Sequence, residues 1–281
     1  MPVRTRFAPS PTGRLHLGHA LAAKVARDLA VAHGGEFLLR FEDIDGPRVR
    51  DEFYQGILDD LEWLGLHWSG EPLRQTCRSG AYAESLANLK SMGMVYPCFC
   101  TRREIESIAA APQGPEGPVY PGTCRQLSET GRRERIDAGA AHSWRLDSAN
   151  AARVAPGITF TDQRFGTIAA APGLLGDVVL ARKDIGTAYH LAVVVDDAFQ
   201  EITHVTRGED LLSSTHVHRL LQELLGLPAP VYHHHPLVLD ENGRRLAKRC
   251  DSLAIASMRE SGMTPDDVWA ALDARLSVFP Q

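Results

Sequence analysis

The first forty residues switch between two periods. Val3 to Phe7 sets apolar and polar side chains in turn, as a short strand does. Leu17 to Ala32 then brings apolar residues back at helical spacing until Gly34-Gly35 stops it. Between them Pro9-Ser10-Pro11-Thr12-Gly13 is turn chemistry, and Glu36 to Phe41 reads as a second strand. Strand, helix and strand in this compass predict a βαβ unit, and hence a parallel sheet with a ligand crevice at the carboxyl ends of its strands. The turn at residues 9 to 19 falls in that crevice.

Two further amphipathic helices follow, Asp51 to Leu64 and Tyr82 to Met92, separated by a loop around Gly70 and Pro72. From Cys98 to about Gly176 the texture changes: Ala109-Ala110-Ala111-Pro112, Gly114-Pro115, Gly117-Pro118 and Pro121-Gly122 precede a polar, Arg-rich helix candidate. This stretch reads as an insertion with its own small fold. Regular patterning returns at Asp177 to Arg182, and the continuous apolar run Leu191 to Val195 is expected to be a buried parallel strand. Near the end, Thr264 as N-cap and Pro265 at the first helical position open a helix running to Leu276.

The expected fold is therefore α/β. A Rossmann-type parallel sheet is split by an insertion, with residues 1–97 as its first half, 98–176 as the insertion and 177–235 as its second half. Residues 236–281 form a loop and a short helical tail, too short for another domain.

Composition narrows the partners. With 44% hydrophobic and 23% charged residues the chain is neither disordered nor membrane-spanning in character, and a net charge of −5 excludes a uniformly basic nucleic-acid coat. Any RNA partner must be bound locally. Met1-Pro2-Val3-Arg4-Thr5-Arg6 lacks the apolar run and cleavage site of an export leader, so a cytoplasmic location is expected, with no membrane contact and a monomeric state. Five cysteines in a reducing compartment favour metal binding or plain burial over disulfides. Only Cys98, Cys100 and Cys124 group together.

The strongest chemistry lies in Arg6-Phe7-Ala8-Pro9-Ser10-Pro11-Thr12-Gly13-Arg14-Leu15-His16-Leu17-Gly18-His19, where a strand turns into a helix. A helix start offers unpaired N–H groups and a positive dipole end, so an anion is favoured there and imidazoles beside it can donate to phosphate oxygens. Gly18 leaves room for a flat base to approach the backbone.

On these residues the chain resembles the class I aminoacyl-tRNA synthetases of the glutamyl/glutaminyl branch, whose HIGH motif reads His16-Leu17-Gly18-His19 here. Their KMSKS motif matches Arg245-Leu246-Ala247-Lys248-Arg249, with Arg245 in place of the first Lys and Ala247 in place of Ser. The resemblance implies that a carboxylate attacks the α-phosphate of ATP and that the acyl group then passes to a hydroxyl. On the same resemblance, ATP is expected to be bound by His16, Gly18, His19, Arg245 and Lys248, with His16, His19 and Lys248 acting catalytically by positioning and neutralising phosphate charge. Mg2+ would accompany ATP without a dedicated protein cage.

Carried over residue by residue, the family's L-glutamate site falls on Arg6, Phe7, Ala8, Pro9, Ser10, Glu42, Tyr189 and Arg207. Two guanidiniums suit two carboxylates, and one carboxylate suits the ammonium. Which Arg takes which carboxylate stays open.

Cys98-Phe99-Cys100 and Tyr120-Pro121-Gly122-Thr123-Cys124 can hold zinc through three thiolates and a fourth ligand. By spacing alone, buried or free thiols remain an alternative. The short relatives in this family carry a C-x-C…Y-x₃-C structural zinc site at this place, which implies Cys98, Cys100, Tyr120 and Cys124, with His142 as the fallback fourth ligand. His233-His234-His235 is not expected to bind metal, because consecutive residues on a strand point to alternate faces. Trp63, Trp68, Trp144 and Trp269 are expected to be packing residues.

Full-length glutamyl-tRNA synthetases continue into a helical anticodon-binding region, whereas this sequence stops soon after the basic motif. Val193 also replaces an Asn usual near their amino acid. The resemblance is thus to the family's short paralogues, which implies glutamate activation and transfer to the queuosine base in the anticodon loop of tRNA(Asp). The tRNA(Asp) anticodon stem-loop would dock where an acceptor stem does in longer members. Three readings stand beside it: a truncated glutamyl-tRNA synthetase charging an acceptor end, a small-molecule ligase or nucleotidyltransferase of the HIGH superfamily, and a non-catalytic zinc RNA-binding module, against which retention of both nucleotide motifs argues.

Overall fold

The computed structural model describes residues 2–106, 113–114, 117–239 and 254–278. The first part of the chain contains β1 (Arg4–Phe7), α1 (Leu17–Ala32), β2 (Glu36–Phe41), α2 (Asp51–Trp63), β3 (Leu73–Arg74) and α3 (Ser79–Ser91). Next come β4 (Val95–Cys98), α4 (Arg102–Glu106), β5 (Gln113–Gly114), β6 (Gly117–Pro118), α5 (Glu129–Asp137), β7 (Ser143–Leu146) and α6 (Ser148–Val154). The remainder is β8 (Thr159–Asp162), β9 (Gly166–Ala169), β10 (Val179–Ala181), α7 (Tyr189–Phe199), β11 (His204–Gly208), α8 (Leu212–Leu225), β12 (Val231–His235), α9 (Ile255–Glu260) and α10 (Pro265–Val278).

The parallel sheet is assembled from distant pieces of chain. β1 pairs with β2 in register Arg4↔Glu36 to Phe7↔Leu39, and β2 with β3. β11 pairs with β12, which pairs with β8, again in parallel, and β9 closes that edge antiparallel. The two groups meet where the Thr203 N–H donates to the Arg4 carbonyl at 3.0 Å and the Arg4 N–H to Thr203 Oγ1 at 2.8 Å. The carboxyl ends of β1 and β11 therefore open side by side, which is where a parallel sheet forms its crevice.

A separate antiparallel sheet joins β10, β7 and β4. β10 lies beyond Gly176 yet pairs with β7, and β8 lies before Gly176 yet pairs with β12. One apolar core packs α1, β2 and α2 against the tail helices, burying Ala20, Ala23, Ala26, Leu39, Ile57, Leu61, Ile255 and Val268. Another gathers α3, α7 and α8 around Leu86, Leu191, Val194, Val217 and Leu221. Trp63, Trp68 and Trp269 pack against the first core and Trp144 against the second, as expected of them.

Leu191 to Val195, expected as a strand, lies inside α7. Every residue from Leu191 to Asp197 is buried, so this helix has no polar face to reveal a period of 3.6. Thr264 caps α10 as expected: its hydroxyl accepts the Asp267 N–H at 3.3 Å while the Asp267 carboxylate takes the Thr264 N–H at 2.8 Å. Among the described residues no helix is long and apolar enough to cross a membrane.

Candidate active site

The turn after β1 delivers His16 to the start of α1, where the two histidines cap the helix reciprocally. The Gly18 N–H donates to His16 Nδ1 at 3.1 Å, and the His16 N–H donates to His19 Nδ1 at 3.2 Å. A ring nitrogen that accepts an N–H carries no proton, so each neutral imidazole carries its proton on Nε2. The rings lie 3.9 Å apart between centroids. A Cβ at Gly18 would stand 3.0 Å from His16 Cε1, so any larger residue there would press on the His16 ring.

β1 and β2 supply two buried guanidiniums. Arg6 makes a two-point contact with Asp197, Nε to Oδ1 at 2.9 Å and Nη2 to Oδ2 at 3.3 Å, and also donates from Nη1 to the Thr206 carbonyl at 3.1 Å. Arg40 reaches the same Asp197 Oδ1 at 2.7 Å and Glu42 Oε1 at 3.5 Å. Burial opposes the charge on Asp197, but Arg6 and Arg40 outweigh it and hold the carboxyl below its usual range. For Glu42 the balance is reversed: burial raises its pKa despite Arg40 and Arg6.

β11 brings Arg207 to the opposite wall. It donates to His234 Nε2 at 3.2 Å, Tyr189 Oη at 3.4 Å, His218 Nδ1 at 3.0 Å and Thr215 Oγ1 at 2.5 Å. Burial, then Arg207 and His190, push the pKa of His218 well down, so it stands neutral. Burial, with Arg207 beside it, brings His234 down to about 4 although Asp162 pulls the other way.

These groups surround one cavity of about 320 Å³. Arg6, Phe7, Ala8, Pro9, Ser10, His16, Gly18, His19, Glu42, Tyr189 and Arg207 all line it, together with Thr206, Asp210 and His235. Sequence reasoning had singled out the first eleven. Arg245 and Lys248, with Ala247 and Arg249, lie outside the described residues. The flanks of their segment are placed: Val238 lines the cavity, and Ala254 bridges to His16 while Ile255 N–H donates to the Leu15 carbonyl at 2.9 Å.

Cys98, Cys100 and Cys124 form a cluster whose sulfurs lie within 4.8 Å of one another. The Tyr120 hydroxyl is 3.5 Å from Cys100 Sγ and takes the Cys124 N–H at 2.8 Å. Burial raises the Cys100 thiol to about 11, while hydrogen bonds, from Tyr120 first, hold Cys124 below its ordinary value despite burial. Three sulfurs plus a phenol oxygen at this spacing fit a tetrahedral zinc. His142 is not part of that cluster, and its Nδ1 lies 3.0 Å from the Ala140 carbonyl.

The buried partners Asp197, Arg40, His218, Thr215 and Asp162 were not foreseen. Asp196-Asp197 at the end of an apolar run was the available signal, since an acid so placed needs a cation. His233-His234-His235 lies on a strand, and its middle member accepts from Arg207. Val193 is buried in the α7 core and is not among the cavity's lining residues.

A family model described as tRNA synthetases class I (E and Q), catalytic domain, matches residues 2–276, and the chain belongs to that family. It is a ligase of the aminoacyl-tRNA synthetase type, with that class's α/β fold. Among its relatives, the glutamyl-Q tRNA(Asp) synthetase of Rhodobacter capsulatus is 49% identical over 94% of this chain and 97% of the relative. That of Nocardia farcinica is 44% identical over 98% of this chain and 85% of the relative. Among solved structures, a glutamate tRNA ligase from Elizabethkingia meningosepticum in complex with its amino acid superposes with a TM-score of 0.74 at 29% identity. The match covers 94% of this chain and 54% of that one, so the chain spans about half the length of the ligase.

Proposed function

We propose that the protein activates L-glutamate with ATP and transfers it to the queuosine base in the anticodon loop of tRNA(Asp). The observation that carries the first half is the convergence in one cavity of two buried guanidiniums, a carboxylate and a histidine-capped helix start. Arg6 and Arg207 supply positive charge for a dicarboxylate, Glu42 can take the ammonium, and Ala8, Ser10 and Tyr189 complete the walls. His16, Gly18 and His19 receive the ATP phosphates at the α1 start, with Mg2+ arriving on the nucleotide. Lys248, aided by Arg245, neutralises charge that builds on the leaving pyrophosphate. No protein nucleophile is needed, because the substrate's own carboxylate attacks.

Zinc would be held by Cys98, Cys100, Cys124 and Tyr120, and its contribution would be structural, pinning two segments of the insertion. The choice of queuosine over a terminal ribose rests on the high coverage of glutamyl-Q tRNA(Asp) synthetases, up to 97% of the relative's length.

The test is incorporation of labelled glutamate, with ATP, into tRNA(Asp) with and without queuosine, with tRNA(Glu) in parallel and periodate to block free diols. Label confined to queuosine-bearing tRNA(Asp) is expected. Label on tRNA(Glu) instead would make the protein an acceptor-end ligase, and activation without RNA labelling would make it a small-molecule ligase. Lys248→Ala should lower pyrophosphate exchange about 100-fold or more with the fold retained; unchanged exchange removes Lys248 from the mechanism.

A further inference from the structure

Arg6 and Arg207 face the same cavity under different electrostatic terms. Arg6 is tied to the carboxylate of Asp197, whereas the hydrogen-bond partners of Arg207 among the described residues are neutral acceptors: an imidazole, a phenol, a second imidazole and a hydroxyl. A buried guanidinium surrounded by neutral acceptors keeps its charge available for an incoming anion. Its direction then depends on groups that carry no charge of their own, and each must present a lone pair rather than a proton.

For His234 that requirement is met by a residue 72 positions away. Asp162, the last residue of β8, is buried and fixed by four contacts. Its Oδ1 takes the backbone N–H groups of Arg164 at 2.8 Å and Phe165 at 3.0 Å. Its Oδ2 takes the His234 backbone N–H at 3.2 Å and lies 2.6 Å from His234 Nδ1. A carboxylate at Nδ1 places the ring proton there, and Nε2 is then a bare acceptor. That Nε2 receives Arg207 Nε at 3.2 Å and lies 3.0 Å from the Thr215 hydroxyl, which itself takes Arg207 Nη2.

We propose that Asp162, acting through His234, is a positioning residue for Arg207. The carboxylate fixes the imidazole tautomer, the imidazole accepts from the guanidinium, and the remaining donor capacity of Arg207 is aimed into the cavity at a substrate carboxylate. This rests on the glutamate reading given above. Neither Asp162 nor His234 lines the cavity, so their removal acts on substrate affinity only through Arg207.

The experiment is glutamate-dependent ATP–pyrophosphate exchange by His234→Leu, His234→Gln and Asp162→Asn, with thermal melts of each. His234→Leu is expected to raise the KM for glutamate roughly 10- to 100-fold, the range for losing one hydrogen bond to a charged group, with the KM for ATP within about twofold. His234→Gln, whose amide oxygen can stand where Nε2 stood, should recover most of that loss. Asp162→Asn should raise the glutamate KM by an intermediate factor; because Asp162 also holds the turn after β8, the two His234 variants decide if it fails to fold. An unchanged glutamate KM in His234→Leu, or an equal rise in both KM values, overturns the positioning role. Wild-type exchange that depends on a different amino acid, with His234→Leu weakening that one, overturns the glutamate reading and leaves the positioning role standing.

Discussion

Behind the cavity wall, Arg6 and Arg40 converge on Asp197, each from a distant stretch of the sequence. In the insertion, Cys98, Cys100 and Cys124 converge on one another, within a small cluster whose other buried members are Tyr96 and Tyr120. The first arrangement pairs cation with anion inside the protein, and the strands that carry Arg6 and Arg40 are locked by parallel pairing. The second brings like groups together, and three thiols have far more to gain from a shared cation than from each other. Preorganisation around Asp197 thus comes from register and charge pairing, whereas the sulfur cluster is of the kind that a shared metal ion would clip together.

The severest way to break this contrast is Asp197→Asn. It leaves two buried guanidiniums facing a neutral amide, and a loss of about 3–5 kcal/mol is expected in urea unfolding; a loss below about 1 kcal/mol would mean that the charge network does not hold the cavity. Next, Cys98→Ser with Cys100→Ser should abolish zinc in metal analysis and speed proteolysis of the insertion, while glutamate-dependent exchange stays within about threefold. No zinc in the wild type would remove the clip.

Asp60 on α2 sharpens the comparison, because it is as buried as Asp197 but has an oxygen without a hydrogen bond and only a 3.5 Å contact to Arg259. Burial, which Arg259 opposes, pushes its pKa up to about 6. A raised carboxyl favours the fold while protonated, so its contribution is whole below its unfolded value near 4 and is lost as pH rises through 6. Asp60→Asn should therefore stabilise by roughly 1–3 kcal/mol at pH 7.5, with the gain shrinking towards pH 4. A gain independent of pH would assign the effect to packing. The smallest effect expected is that of His142→Ala, which should leave zinc content unchanged where Tyr120→Phe lowers affinity; zinc loss in His142→Ala would reinstate the histidine as ligand.

Much of the cavity was legible because its lining residues cluster in a few motifs. Arg6 to Ser10 and His16 to His19 lie on one strand–turn–helix unit, whose period and turn residues are local properties. The supporting layer was not legible, since Arg6 meets Asp197 at a separation of 191 residues and Arg207 meets His234 across two strands. Local patterning carries no trace of such pairings. The α7 run misled for a related reason: burial on all sides erases the polar stripe that distinguishes a helix from a strand.

The parallel register of β11 and β12 sets Arg207 opposite His234, and His234 has a histidine on either side. If β12 slipped by one residue in either direction, an imidazole would still occupy the place beside Arg207. The same slip would draw Tyr232 out of its pocket, where it is buried against Phe160 and Val205 and bonded to Gln222 at 3.0 Å. The triplet is therefore indifferent to a frame error that the tyrosine detects. A single-residue deletion in the 226–230 connection would be judged by the fit of one aromatic ring, not by loss of the reacting groups' chemistry.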